Sequence, residues 1–299
     1  ANPDYLASRT LNTLIYGDNH ILAYDQQGTE ESVAAITIDD LKNYWEKYFS
    51  PSVSSFIVAG AVDKERVTAG LASLTANWAA KEVELPVLPV AEPPAKSVIY
   101  FVDVPDAKQS VISIGTPSIP RSHADFHGAT VANYKLGGSF NGVFNMILRE
   151  EKGFTYGARS SFSGMRNFGS FTASSRVITK GTLESVNIFK NEMLKYREGV
   201  SQADIDFTRD ALMKSNALRF ETLGSLVGML NTMSTYNLPP DYIKQEEAFV
   251  KALTVEQHKE LVNKYIDPMR MYYIVVGDAA TQLNALSSVG FGKPVLLRY

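Results

Sequence analysis

An internal repeat constrains the fold of this 299-residue chain more than any other feature of its sequence. The segment 37–63, TIDDLKNYWEKYFSPSVSSFIVAGAVD, aligns without a gap with the segment 254–280, TVEQHKELVNKYIDPMRMYYIVVGDAA. Identical residues occupy the matching positions Thr37/Thr254, Lys42/Lys259, Lys47/Lys264, Tyr48/Tyr265, Pro51/Pro268, Ile57/Ile274, Val58/Val275 and Gly60/Gly277. Such self-similarity indicates a duplicated unit, and a chain of this length can hold two domains.

The two copies share the same local chemistry. Thr37 and Thr254 are preferred helix N-caps, and acidic residues follow each of them in the first turn. A proline then ends the helix, and an apolar run of β-type residues ends in glycine. The repeat therefore predicts a helix followed by a β-strand in both copies.

The position of the second copy predicts the domain boundaries. This copy begins near Ser97 with the strand pattern SVIYFVDVP, and the same start in the first copy would fall upstream of the chain. We expect residues 1–81 to be the C-terminal part of the first repeat domain and residues 97–299 to be the complete second domain. Four prolines in segment 82–96, EVELPVLPVAEPPAK, predict an extended linker between them.

The second repeat alternates strand and helix patterns. Strands are predicted at 97–103, 109–114, 154–164, 169–177 and 271–277, and helices at 122–136, 142–152, 182–198 and from 201 to about 265. Ser201 and Asp204 predict a capping box at the start of one of these helices. Strands followed by a run of helices predict an α+β fold, a repeated two-layer domain in which helices cover one face of a mostly antiparallel sheet.

Composition excludes several classes of function. The chain has no cysteine, so disulfides, thiol catalysis and thiolate metal ligands are excluded. A net charge of −3 and a pI of about 5.9 give no reason to expect nucleic acid as a partner. No apolar run approaches the roughly 20 residues that a membrane span needs. We expect a soluble protein, and the composition fits the bacterial periplasm and the cytoplasm equally well.

Two stretches of the sequence carry a family resemblance. Residues 136–164, LGGSFNGVFNMILREEKGFTYGARSSFSG, and residues 28–63, GTEESVAAITIDDLKNYWEKYFSPSVSSFIVAGAVD, resemble the insulinase/pitrilysin-type zinc metallopeptidases, or inverzincins, which include the mitochondrial processing peptidases. The first resembles the family's C-terminal non-metal half, and the second resembles the end of its N-terminal half. The resemblance implies two homologous α+β domains joined by a linker, which accounts for the repeat.

The resemblance also predicts where zinc binds. The zinc site of this family is an H-x-x-E-H helix in the first half-repeat together with a distant glutamate. That segment would lie upstream of this chain, and ATVAN at 129–133 stands at the corresponding position of the second copy. We therefore expect no metal ligand and no catalytic residue in this chain, and we expect the chain alone to be inactive. Zinc and the general base would come from the missing segment or from the zinc-bearing half of a homodimer or heterodimer.

Four residues are predicted to contact a peptide substrate. In processing-peptidase-like members, the non-metal half carries an arginine and a tyrosine that hold the substrate backbone beside the metal, and Arg149 and Tyr156 match this pattern. A guanidinium offers forked donors to a peptide carbonyl, and a phenol can donate to an oxygen that gains charge during hydrolysis. Phe140 and Asn141, in the glycine-rich run before the same helix, are expected to border the substrate channel.

Alternatives remain open for these residues. Arg149 could offset the dipole of its helix, or pair with Glu150 or Glu151 of a neighbouring chain. Tyr156 could be an ordinary inward-facing aromatic residue of a strand.

Alternatives also remain for the function of the chain. The leading hypothesis is the substrate-clamping half of an endopeptidase that acts on unfolded peptides. The second hypothesis is a non-proteolytic scaffold, like the family-related core subunits of a respiratory complex. The third is a peptide-binding module that catalyses no reaction.

Other polar residues receive weaker interpretations. His123 and His127 have the spacing of a zinc pair, but they lack the glutamate that such a site needs, so zinc is not expected there. His20 and His258 are expected to face solvent. One further set is predicted to form a polar strand face, either an edge that accepts an extended peptide or a solvated surface: Ser160, Ser161, Ser163, Thr172 and Ser174.

Overall fold

The computed structural model describes residues 2–298, except for the side chains of residues 217 and 218. Its backbone contacts divide the chain into two compact units. The first, which we call the sheet unit, contains the residues up to Tyr24, Val90–Met213 and the residues from Asp241 onward. The second, the helical unit, contains Asp25–Pro89 and Lys214–Pro240. The domain boundaries expected from the repeat stay a prediction.

A six-stranded sheet organises the sheet unit. Its strands are β1 (Val98–Asp103), β2 (Gln109–Ser118), β3 (Ala158–Gly164), β4 (Gly169–Ile178), β5 (Tyr272–Gly277) and β6 (Val295–Leu297). Their order in the sheet is β3-β4-β2-β5-β1-β6. The neighbours from β3 to β5 pair antiparallel, whereas β1 lies parallel to both β5 and β6. The α+β fold class is thus confirmed, and the sheet is mixed.

Helices of the sheet unit connect and cover these strands. They are α1 (Pro3–Tyr16), α5 (Phe126–Ala132), α6 (Val143–Asn145), α7 (Thr182–Glu198), α10 (Tyr242–Ala252), α11 (Val255–Tyr265) and α12 (Ala279–Gln282). The helix begun by α6 continues with wider π-type turns over Met146–Glu151, and a similar turn covers Tyr134–Gly138. Gly153 follows with a φ of +63°, a left-handed conformation that favours glycine at a helix end.

Alternation along the strands gives the sheet two apolar faces. Ile112, Phe171 and Ala173 belong to the main core, together with Phe144 and Phe189 from the helices. On the opposite face, a second apolar cluster joins helix α1 to the strands: Leu6, Ala7, Leu11, Ile15, Val102, Val111, Ile274 and Val276. Helices cover the main-core face of the sheet, and helix α1 also covers the opposite face, where Val111 of β2 and Ile274 and Val276 of β5 are apolar.

Local signals in the sequence set several element boundaries. Helix α7 spans the predicted residues 182–198. The predicted capping box precedes α8 (Gln202–Asn216), where the backbone N–H of Asp204 donates to Ser201 Oγ at 3.2 Å and the Ser201 N–H donates to the Asp204 carboxylate at 3.1 Å. Thr254 caps α11 in the same reciprocal way with Gln257. These helix starts follow from side chains three residues apart.

The helical unit contains four α-helices within the described residues. They are α2 (Glu30–Ala34), α3 (Ile38–Tyr48), α4 (Lys64–Asn77) and α9 (Leu223–Tyr236). Thr37 caps α3, as the repeat predicts. The β-strand predicted for the apolar run that ends at Gly60 is not formed, since residues 54–59 have no regular structure. A strand needs neighbouring strands for its backbone hydrogen bonds, and the described part of this unit provides none.

Candidate functional site

A pocket of about 480 Å³ lies in the sheet unit at the start of strand β3. The loop between α5 and α6, the turn before β3 and the outer face of β4 form most of its wall. Its lining residues are Asp4, Val111, Gly137, Gly138, Ser139, Phe140, Asn145, Tyr156, Gly157, Ala158, Arg159, Ser174, Ser175 and Arg176. Two of the four predicted substrate-binding residues, Phe140 and Tyr156, are thus brought together at one pocket.

Two buried asparagines hold the walls of this pocket in place. The Asn145 side chain donates to the Phe140 carbonyl at 2.8 Å and accepts from the Ala158 N–H at 3.1 Å. Asn133 donates to the Ser160 carbonyl at 2.9 Å and accepts from its hydroxyl at 2.6 Å. Asn145 therefore ties the loop that carries Phe140 to the strand that follows Tyr156. The sequence prediction missed both residues, although a lone amide within an apolar helical stretch is a signal for such a clamp.

Gly137 allows the loop to lie directly against strand β3. A Cβ atom at this position would come within 2.5 Å of the Ser160 backbone nitrogen and 2.8 Å of the Phe144 ring. Only glycine fits such a close approach of two backbone segments. The glycine-rich run before α6 thus has a packing role in shaping the pocket.

Arg149 reaches the pocket through an aromatic contact. It lies on the helix that α6 begins, and its guanidinium carbon is 4.6 Å from the centre of the Phe140 ring. Its Nη1 atom is also 3.0 Å from a carboxylate oxygen of Glu150 in the same chain. Phe140 is 64% exposed and Arg149 is partly exposed, so the stacked pair is accessible from solvent.

Tyr156 is presented to solvent at the mouth of the pocket. It precedes β3 in the turn, is 92% exposed, and its hydroxyl has no hydrogen-bond partner within residues 2–298. The alternative that Tyr156 is an inward-facing strand residue is wrong, because the strand begins two residues later. Thr155 fixes the turn by accepting the Gly157 N–H at 3.0 Å. Asn141 is exposed and is not part of the pocket lining.

Basic side chains line the opposite wall of the pocket. Arg159 on β3 and Arg176 on β4 project from the face of the sheet that α1 also contacts. Arg176 pairs with the carboxylate of Asp4 at the start of α1. With Arg149, three guanidinium groups lie in or beside the pocket, and Arg149 and Arg176 pair there with the carboxylates of Glu150 and Asp4. Guanidinium groups are also suited to bind the carbonyl or carboxylate oxygens of an extended peptide.

Strand β3 forms one edge of the sheet, and some of the backbone groups along this edge already have hydrogen-bond partners. Strand β3 has a partner strand only on its β4 side in the described part of the sheet. The Ala158 N–H and the Ser160 carbonyl already bond to the two asparagines. Ser160 is buried, so its assignment to the polar strand face is wrong: alternation along β3 turns it to the face opposite to Ser161, where its hydroxyl donates to Asn133. Ser161 lies 3.4 Å from Thr172 on the outer face.

Comparison with known proteins settles the family. Residues 35–212 match the family described as the peptidase M16 inactive domain. The chain belongs to this family. This M16 chain is 29% identical over 239 residues to the Helicobacter pylori protein named non-peptidase homolog YmxG, covering 78% of the chain and 52% of that protein. It is 25% identical over 232 residues to a Bacillus subtilis protein named uncharacterized zinc protease YmxG, covering 75% and 53%.

A solved structure supports the fold of this M16 chain. The crystal structure described as the peptidase M16 inactive domain from Pseudomonas fluorescens superposes with a TM-score of 0.83 at 26% identity, over 94% of this chain and 67% of that one. The chain spans about half the length of the two curated relatives. The predicted resemblance to the insulinase/pitrilysin-type peptidases, which are the M16 peptidases, is confirmed.

The position that corresponds to the zinc motif does not fit a metal in this M16 chain. Residues 129–133 lie on and just after α5, where Ala129, Val131 and Ala132 are packed into apolar cores. Their side chains offer no zinc ligand. Nowhere in residues 2–298 do three or more histidine, aspartate or glutamate side chains converge on a possible metal position. Within the same residues, no helix is long and apolar enough to cross a membrane.

The histidines have packing roles in this M16 chain. His258 is buried, and its Nε2 lies 3.0 Å from both the Tyr196 hydroxyl and the Ala132 carbonyl. This burial lowers the pKa of His258. His20 is also buried, and its ring stacks on Tyr16 with a centroid distance of 4.9 Å. The expectation that His20 and His258 face solvent is wrong, because rings from distant segments cover them: Phe168 lies edge-to-face against His20 at 4.7 Å, and Tyr196 lies against His258 at 5.1 Å.

Proposed function

We propose that this chain is the substrate-binding half of a zinc metalloendopeptidase that cleaves unfolded peptides. Residues 97–299 would form its complete non-metal repeat domain, residues 82–96 the linker, and residues 1–81 the end of the zinc-type repeat. Zinc and the general base would be supplied by a zinc-bearing half, so the catalytic unit is a homodimer or a heterodimer. Membership of the inactive M16 domain family and the name zinc protease in the Bacillus subtilis relative support this proposal.

One observation carries the proposal. Tyr156 and Phe140 are large aromatic residues that stand exposed at the mouth of a pocket, while Arg149 stacks on Phe140. Aromatic and arginine side chains in this position contribute little to folding, but they are the residue types that dominate contacts with peptides. The neighbouring asparagine clamp fixes the backbone that presents them.

The chemistry of the pair suits a peptide bond beside a reacting centre. Arg149 is bonded to the exposed Glu150 carboxylate, and exposed ion pairs are worth about 0–1 kcal/mol. A substrate carbonyl can therefore replace Glu150 as the partner of the guanidinium at small cost. The Tyr156 hydroxyl can donate to an oxygen whose negative charge grows in the transition state. Both groups bind and orient the substrate, and neither serves as a nucleophile or base.

A non-proteolytic scaffold is the second candidate. It is favoured by the name of the Helicobacter pylori relative, which is called a non-peptidase homolog. A scaffold makes no use of Arg149 and Tyr156, so replacing them would leave its assembly unchanged.

A mixing assay tests the proposed function. The chain is combined with a zinc-bearing M16 subunit that lacks an Arg/Tyr pair of its own, and cleavage of a fluorogenic unfolded peptide is followed. We expect cleavage by the mixture, its loss on addition of a chelator, and no cleavage by the chain alone with added zinc. Chelator-sensitive cleavage by the chain alone, or a mixture no faster than the zinc-bearing subunit, would contradict the proposal.

A further inference from the structure

Two arginines on neighbouring strands give the pocket at the start of β3 an excess of positive charge. Arg159 of β3 and Arg176 of β4 line this pocket, and among the described residues of the lining the only other charged side chain is Asp4. Asp4 pairs with Arg176. The Arg159 side chain has no ion pair or hydrogen bond within residues 2–298. One guanidinium group of the pocket is therefore neutralised, and the other lacks a counter-charge.

Strand pairing holds Arg159 on the wall of the pocket. Burial alternates along β3, so that Ala158 and Ser160 are buried whereas Arg159 is exposed on the outer face. Arg159 lies directly opposite Ser174 of β4 in the antiparallel ladder. The Ser174 hydroxyl also has no hydrogen-bond partner in the described part of the chain. Two unpartnered donor groups thus lie next to each other in the pocket wall.

These two donor groups suit a carboxylate. A guanidinium presents parallel N–H donors that match both oxygens of a carboxylate, and a serine hydroxyl can donate to one of them. A pocket of about 480 Å³ has room for an acidic side chain together with the backbone that carries it. A neutral peptide carbonyl could accept from the same donors, but it would leave the charge of Arg159 uncompensated. The charge of the pocket therefore favours an anionic group.

We propose that Arg159 binds a carboxylate of the bound peptide and makes the pocket selective for acidic peptides. The carboxylate belongs to an aspartate or glutamate side chain or to the peptide C-terminus, since both offer the same two oxygens. Arg159 follows Tyr156 by three residues, so their α-carbons are at most about 11 Å apart. The carboxylate would thus lie about two to four residues from the peptide bond that Tyr156 contacts. This spacing rests on the proposed function, whereas the preference for a carboxylate requires no cleavage.

Fluorescence anisotropy with dye-labelled peptides tests the selectivity on the full chain without a zinc-bearing subunit. Three unfolded peptides of equal length are compared. The first has one internal glutamate and an amidated C-terminus, the second has glutamine in its place, and the third has that glutamine and a free C-terminal carboxylate. We expect the first or the third to bind about fivefold or more tightly than the second, and the tighter of the two identifies the source of the carboxylate. This preference should shrink as the salt concentration rises.

Three variants decide whether Arg159 carries the preference. Arg159→Gln should lower it to less than about twofold, and this exposed, unpaired side chain can be replaced without loss of a contact. Arg166→Gln removes the same charge from the exposed turn beyond the other end of β3, and it should leave the preference unchanged. Asp4→Asn frees Arg176 of its counter-charge, so it should raise the preference about twofold or more.

Several results would overturn the inference. They are an absence of peptide binding, a preference that Arg159→Gln retains, an equal loss for Arg166→Gln, and a preference that Asp4→Asn does not raise. Equal affinities for the three peptides would reject the carboxylate site and leave the proposed function standing. A preference that depends on Arg159, together with no cleavage in the mixing assay, would retain this inference and reject the peptidase proposal.

Discussion

Replacing Phe144 with alanine should lower the free energy of unfolding by about 3–5 kcal/mol, the usual cost of removing a buried phenylalanine ring. Phe144 is fully buried in the main core, and its ring meets Phe189 edge-to-face with a centroid distance of 4.7 Å. The ring also lies on the helix that carries Arg149. Urea denaturation followed by far-ultraviolet circular dichroism measures the change.

Phe140→Ala provides the matched control for this prediction. It removes the same ring four residues earlier in the chain, but from an exposed position. We expect it to change the free energy of unfolding by less than about 1 kcal/mol, as surface substitutions do. Equal losses for the two variants would show that Phe140 is part of the core, and would remove the argument that it is available to substrate.

Replacing Arg149 with alanine should reduce kcat/KM in the mixing assay about ten- to a hundredfold, as expected from the loss of one charge-assisted hydrogen bond worth about 1.5–3 kcal/mol. The stability of the chain should hardly change, because the only ion pair seen for Arg149 within the described residues is exposed. Arg149→Lys keeps the charge but loses the planar fork of donors, so its kcat/KM should lie between that of the unaltered chain and that of Arg149→Ala.

Arg166→Ala is the control for the arginine prediction. Arg166 is exposed in the turn between β3 and β4, at the end of β3 opposite to Tyr156. A strand of seven residues is about 23 Å long, so Arg166 lies far from the pocket. Its replacement should leave kcat/KM unchanged. A loss for Arg149→Ala no larger than that for Arg166→Ala would contradict a substrate-binding role.

The sequence predicts those parts of the fold that depend on local chemistry. Helix α7, the N-caps Thr37 and Thr254 and the capping box at Ser201 were all predicted, because each depends on residues three or four positions apart. The parallel pairing of β1 with β5 and β6 was not, since strand order depends on distant segments. The absence of a strand at 54–59 was not predictable for the same reason, because a strand forms only where another segment of the chain supplies a partner.

The candidate site was predictable in part. Family resemblance indicated Arg149, Phe140 and Tyr156, and the structure places these three side chains at or beside one pocket. The Asn145 clamp and Arg176 were missed, because their roles depend on contacts between segments far apart in sequence. Burial of His258 was missed for the same reason, since its cover comes from Tyr196 and Ala132.

Site-specific photocrosslinking tests the central claim most directly, namely that the pocket at the start of β3 contacts a peptide substrate. A benzophenone amino acid is placed at position 156, where the 92% exposed tyrosine can be exchanged without disturbing the core. The modified chain is irradiated with the zinc-bearing subunit, inactivated by a chelator, and an unfolded peptide. The same label at Met165, in the exposed turn of the β3–β4 hairpin, is the control. The account predicts crosslinks to the peptide from position 156 and few from position 165, whereas equal yields or no crosslink from position 156 would contradict it.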